Sequence, residues 1–231
     1  MLFPWVGMLE QAALADVFVH YDDVQFSKGS FTNRVQVKTA RGSQWMTVPL
    51  HNLRLGDHIK ELDADETRDW RAEHRLLISS ALSAAPHLDR ALEIVDAVYE
   101  PRRSLVDLLV DGFERLANCV GAAPTFVRSS ELGVGGASAD RVLAIVRHLK
   151  GSSYVTGHGA ANYLDHEEFE RAGVDVRYMD YAMTPYPQQH GAFTPFVTSL
   201  DLVANVGADA PEFIQPRIVD WRTFMSRRAN A

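Results

Sequence analysis

The spacing of apolar residues changes period twice along the chain, and those two changes limit the architectures open to it. Between Asp65 and Val120 the spacing is helical throughout, whereas on either side short β-branched and aromatic runs alternate with polar loops. Within the helical stretch Trp70, His74, Leu77, Ile78, Ala81 and Leu82 share one face, and Leu105, Leu108, Leu109, Gly112, Phe113 and Leu116 share another. Pro86 and Pro101 cannot sit inside a helix without breaking it, so they divide the stretch into three helices. Stripes of this kind are core, and residues 65–120 read as a helical insertion or cap within a single α/β domain spanning 1–231. Arg102 and Arg103 sit on this insertion as surface charges that could reach an anion.

The flanking regions carry the strands. Phe3–Gly7 is a turn that leads into a helix over Met8–Ala15, and Val17–Val19 is a short buried strand. Two adjacent carboxylates, Asp22 and Asp23, follow it, then Gln25, Ser27 and Lys28. From Phe31 the chain alternates as a hairpin, with Val35 and Val37 on one face and Arg34, Gln36 and Lys38 on the other. A two-stranded hairpin is marginal alone, so it must pack on the main domain and carry Asn33, Arg34 and Lys38 to its mouth. After Pro124, strands at Thr125–Arg128, Ser153–Thr156 and Val174–Tyr178 alternate with helices. The first of these helices is capped by Ser138 and the second by Asp165 with Glu168. Strand–helix alternation with short turns implies parallel pairing. The expected class is therefore α/β, a parallel Rossmann-like sheet with an N-terminal β-hairpin excursion and a helical insertion.

In open parallel sheets ligands bind beyond the carboxyl ends of the strands, which directs attention to the loops there. Asp22–Lys28, the Ser129–Gly136 loop with Gly133, Gly135 and Gly136, and Gly157–Tyr163 would lie on one edge. Tyr186–Pro195, too rich in Pro, Gly and polar residues for a core element, reads as an ordered loop exposing His190. Ser199 then caps a helix over Leu200–Val206 that ends at Gly207, and the tail from Trp221 to Ala231 docks loosely or frays.

Composition removes several function classes. A net charge of −7 argues against a nucleic-acid groove, which needs a basic face. The one cysteine, Cys119, permits no internal disulfide and reads as a small buried hydrophobe in a reducing compartment. No apolar run reaches the ~18 residues of a membrane span, and the expected location is the cytoplasm. His51 and His58 lack the spacing of a metal site, and there is no GxSxG, HExxH or CxxC motif.

Several ordered segments together resemble the WbqC-like family of bacterial proteins: FPWVG, ADVFVHYDDVQFSKGSFTNRVQVK, QWMTVPL, GSSYVTGHGAANYLD, YPQQHGAFTP and SLDLVANVG. The resemblance touches both ends of the chain. It implies a role in building O-antigen and other surface polysaccharides or natural products, where genes of this family are found. Family members open with a strand and a His-Gln-Pro stretch ahead of the Phe-Pro-Trp segment, so the resemblance implies that such a strand is missing before Met1.

The candidate catalytic residues are Asp22, Asp23, His158 and His190, with Trp5, Gln25, Lys28, Asn33, Arg34, Lys38, Ser129, Ser130, Gly157, Tyr163 and Gln188 as substrate-binding candidates. Histidine serves as a base near neutral pH, paired carboxylates hold Mg²⁺ or take protons, and Lys or Arg neutralises phosphate. The set suits transfer of an acyl or aminoacyl group to an amine or hydroxyl. The cofactor stays open, with a nucleotide and Mg²⁺ as an option, and the small-molecule substrate would be an amino sugar, a nucleotide sugar or an amino acid. Homo-oligomerisation stays open. The rival reading is a non-catalytic subunit that binds a nucleotide sugar or scaffolds a partner enzyme.

Overall fold

The computed structural model describes residues 1–100 and 104–230, so Arg102 and Arg103 lie outside the described residues. The chain divides into two compact units. The first comprises Met1–Ala13, Asp22–Ala123 and Met183–Gln215; the second comprises Leu14–Tyr21, Pro124–Ala182 and Pro216–Ala231.

The first unit begins with helix α1, Val6–Ala13. Trp5 lies flat over its first turn, so close that a Cβ on Gly7 would stand 2.3 Å from the indole, and only glycine fits there. The second unit takes up the chain next, with strand β1, Val17–His20. Back in the first unit, strands β2, Arg34–Thr39, and β3, Gly42–Thr47, form the expected antiparallel hairpin, with Val35 opposite Met46 and Lys38 opposite Ser43. The predicted helical stretch forms three helices: α2, Trp70–Ala81; α3, Leu88–Val98; and α4, Leu105–Cys119. Asp69 caps α2 by accepting from the Ala72 N–H at 3.1 Å, and Ser104 caps α4 by accepting from that of Asp107 at 3.1 Å. Their inward faces bury Trp70, Ile78, Ile94, Val98, Leu105, Phe113 and Leu116.

His74 is buried in this core with both ring nitrogens satisfied. Nε2 meets the Thr47 carbonyl at 3.1 Å and therefore carries the hydrogen, and Nδ1 accepts from the Tyr99 hydroxyl at 2.8 Å.

The second unit holds the remaining strands: β4, Thr125–Arg128; β5, Ser153–Thr156; β6, Asp175–Met179; and β7, Ile218–Asp220. Its helices are α5, Ser138–His148; α6, His166–Arg171; and α8, Trp221–Ala229, while α7, Leu200–Val206, belongs to the first unit. Strands β1 and β4 pair in parallel, as do β5 and β6, and β7 adds antiparallel to β6. The fold is thus mixed α/β, built from a hairpin, a parallel pair and a three-stranded sheet rather than one long ladder.

Three local expectations are corrected. Ala137 occupies the N-cap of α5, with Ser138 already its first residue, and Ser199 holds the N-cap position of α7 as expected but donates its hydroxyl to the Pro4 carbonyl instead of accepting from the helix. The tail is ordered: Phe224 stacks on Tyr178 at 4.0 Å and 8°, and Trp221 stacks on His166 at 4.7 Å and 16°. Aromatic pairing of this kind adds about 0.5–1.5 kcal/mol per pair beyond the area it buries, enough to fix a short helix. No helix among the described residues is long and apolar enough to cross a membrane.

Candidate functional site

The predicted site residues fall into two groups, one in each unit. In the first unit most of them are engaged in holding the fold. Asn33 is buried and donates from Nδ2 to the Val48 carbonyl at 2.8 Å, bracing the base of the hairpin. Arg34 donates from Nε to the Ser30 carbonyl at 3.0 Å and from Nη2 to that of Gly29, with its guanidinium 4.2 Å from the Trp45 ring centre. Gln25 is exposed and bridges His58, and Lys28 is exposed. Asp22 is buried, its carbonyl accepting from the Lys60 N–H at 2.8 Å, and Asp23 is half-buried. Trp5 bridges Thr198 and packs against Phe196, with ring centres 5.5 Å apart.

Lys38 departs from its expected position. Val37 is buried on the apolar face, and Lys38 is buried on the opposite one because the Tyr186–Pro195 loop folds over it, so it lies beneath a loop rather than at an open mouth. The Lys38 ammonium donates to the carbonyls of Ala192 at 2.6 Å and Gly191 at 3.2 Å, and to Gln188 Oε1 at 3.1 Å. Gln188 Oε1 also accepts from the Thr194 N–H at 2.9 Å. Its Nε2 donates to the Thr194 carbonyl at 3.1 Å and to the Tyr186 hydroxyl at 2.9 Å. Both N–H donors and both lone pairs of this amide are thereby filled. Tyr186 hydrogen-bonds Asp201, a buried carboxylate on α7 that the sequence reading missed. Desolvation raises the Asp201 pKa to about 6, against the lowering effects of the Tyr186 hydrogen bond and the Lys38 charge. His190 is exposed at the edge of this loop, its Nε2 donating to the Ala81 carbonyl at 2.7 Å.

Asp201 and His74 give the first unit two opposed acid responses. Desolvation lowers the His74 pKa from 6.5 to about 4, so the unfolded chain takes up a proton first and stability is lost as pH falls from 6.5 towards 4. Asp201 is raised from 3.8 to about 6, so the folded chain takes up a proton first and stability is gained as pH falls from 6 towards 3.8. Each shift is worth roughly 3 kcal/mol, and between pH 6 and 4 the two nearly cancel. Urea unfolding of Asp201→Asn across this range should reveal a steeper acid loss than the wild type, by about 3 kcal/mol. Parallel curves would refute the assignment.

The second unit brings its predicted residues to the carboxyl ends of parallel strands. Gly157 and His158 follow β5, Met179 and Asp180 end β6 and follow it, and Ser129 and Ser130 follow β4, with Ser129 buried. His158 is exposed. Its Nε2 lies 2.8 Å from the Met179 carbonyl, its ring 5.1 Å from that of Tyr181 and 4.9 Å from that of Phe224. A carbonyl only accepts, so Nε2 carries the hydrogen and Nδ1 of the neutral ring keeps its lone pair for a proton. Tyr163 is exposed and hydrogen-bonds Tyr154, whose hydroxyl is held well above the usual range, first by burial and then by the neighbouring Tyr163.

His158 opens onto a groove of about 570 Å³ lined also by Gly159, Asn162, Met179, Asp180, Phe224, Arg227 and Arg228. That volume lies in the range of small-molecule sites. Arg227 faces Asp180 at 3.4 Å and Arg228 donates to Asn162 Oδ1 at 2.7 Å. Neither arginine is among the site residues expected from the sequence, because the tail was expected to dock loosely or fray. Among the described residues no group of three or more His, Cys, Asp or Glu is placed to hold a metal ion.

The WbqC-like protein family model matches residues 1–213. The chain belongs to the WbqC-like family. It is 31% identical over 219 residues to a Mycobacterium tuberculosis protein, Rv1507c, described as uncharacterized; the match spans 92% of this chain and 93% of that protein. No solved structure matches the chain. The family match takes in the hairpin, the helical stretch, His158 and the Tyr186–Pro195 loop, whereas Arg227 and Arg228 lie beyond residue 213.

Proposed function

We propose that this WbqC-like protein is a cytosolic transferase of bacterial surface-polysaccharide (O-antigen) or natural-product biosynthesis. It moves a small acyl- or aminoacyl-type group from an activated, nucleotide-dependent donor to an amine or hydroxyl on a sugar-like acceptor. The observation that carries this reading is His158, a histidine of fixed tautomer in a groove beside two arginines at the ends of parallel strands. Strands β1, β4, β5 and β6 are read as parts of a Rossmann-like sheet whose carboxyl edge holds the site. In the reaction the acceptor nitrogen or oxygen attacks the acyl carbonyl, and Nδ1 of His158 takes the acceptor proton. The bond from the acyl carbon to its leaving group then breaks. The groove is sized for such a pair of ligands, and family membership supports the biosynthetic setting.

The test is direct. Purified protein is incubated with ATP and Mg²⁺, single amino acids or acyl thioesters, and amino-sugar nucleotides, and the acceptor is followed by mass spectrometry. An acceptor gaining one acyl mass, dependent on the protein, supports the transferase. Binding of a nucleotide sugar with no product under any donor would replace this reading with a binding or scaffolding subunit.

A further inference from the structure

Helix α8 brings two guanidinium groups to a groove whose other walls come from the turn after β5 and from the end of β6 with the residue after it. Arginines in the last turn of a helix are often explained by the helix dipole, which favours cations there. Here the two side chains instead reach away from the helix end, Arg227 towards Asp180 and Arg228 to Asn162. Each partner orients its guanidinium without exhausting it, since a guanidinium carries five N–H donors in a planar fork. The Arg227 side chain is 60% exposed and lines the groove. In the same groove His158 is held by the Met179 carbonyl through Nε2.

From this juxtaposition we propose that the groove is a binding site for a phosphoric anhydride, with Arg227 and Arg228 as its clamp and the diphosphate of an activated donor as its ligand. Two guanidinium groups suit an anion with two charged centres, because each fork pairs with the oxygens of one phosphoryl group. A volume of about 570 Å³ admits a nucleoside diphosphate rather than a bare phosphate alone. Asp180 serves as a place-holder: it keeps Arg227 aligned when the groove is empty and yields the guanidinium to the stronger anion. This inference rests on the reading of the groove as the reactive site but concerns binding, so it stands or falls separately from turnover.

The experiment is calorimetric titration of the full chain with inorganic pyrophosphate and with uridine and adenosine diphosphates at two salt concentrations. Wild type should bind, more weakly as salt rises. Arg227→Gln and Arg228→Gln should each lower affinity at least tenfold with unchanged melting temperature. His158→Gln should bind as wild type even if turnover is lost, which separates a failed base from a failed clamp. Asp180→Asn is the decisive variant: removing the competing carboxylate should tighten anion binding, whereas a purely structural ion pair predicts loss or no change. Equal affinity for pyrophosphate and the nucleotides assigns the site to the anhydride alone, and tighter nucleotide binding adds a nucleoside subsite. Absence of binding by all three probes, or full affinity in the double arginine variant, would overturn the proposal.

Discussion

His158→Gln should lower turnover by about 10²–10⁴-fold, the range typical for loss of a general base, while lowering the melting temperature by no more than a few degrees. The glutamine amide can still donate to the Met179 carbonyl that His158 Nε2 now meets at 2.8 Å, so the loop after β5 keeps its anchor. What disappears is the free lone pair on Nδ1. The residue is exposed and glutamine can keep its hydrogen bond, so the melt should record only the loss of its tilted ring contacts to Tyr181 and Phe224, about 1 kcal/mol and a shift of a few degrees. The measurement is the rate of acceptor acylation with the donor found by mass spectrometry, together with a thermal melt. Wild-type turnover in His158→Gln would remove this histidine from the mechanism.

Lys38→Met should destabilise the first unit by about 3 kcal/mol, the cost of leaving buried acceptors without their donor. Methionine preserves the apolar stem. It leaves the Ala192 and Gly191 carbonyls without their donor and Asp201 without the cation that opposes its desolvation. Gln188 keeps its contacts to Thr194 and Tyr186 but loses the third corner of its frame. Urea unfolding followed by circular dichroism measures the loss. Pairing Lys38→Met with Asp201→Asn should restore part of it, because a neutral amide no longer needs a counter-charge. A loss below about 1 kcal/mol would show that the loop does not depend on the ammonium.

The helical stretch was legible because its signal is long and redundant: α2, α3 and α4 each repeat their apolar positions over several turns. The hairpin was legible for the same reason at period two. Lys38 was misplaced because alternation assigns faces within a strand and says nothing about a distant loop closing over the polar face. Asp201 was passed over because a single carboxylate in an apolar helix carries no local mark. Its role depends on Tyr186 and Lys38, which only the fold brings near it. Helix α8 offers just Trp221, Phe224, Met225 and Ala229 as apolar residues, and β7 is three residues long, so neither rises above the background of a polar tail. Yet Asp220, which caps α8 by accepting from the Thr223 N–H at 3.0 Å, was a readable start signal.

The second unit is stitched from three separated stretches of chain, Leu14–Tyr21, Pro124–Ala182 and Pro216–Ala231. During synthesis its first strand emerges early and has nothing to pair with, since its partner residues, Thr125 to Arg128, come only after the whole helical stretch. The wall that carries Arg227 and Arg228 comes later still. The groove is therefore complete only once the segment that carries α8 folds back onto β6. Contacts so distant in sequence close slowly, so the groove is among the last features of the second unit to form.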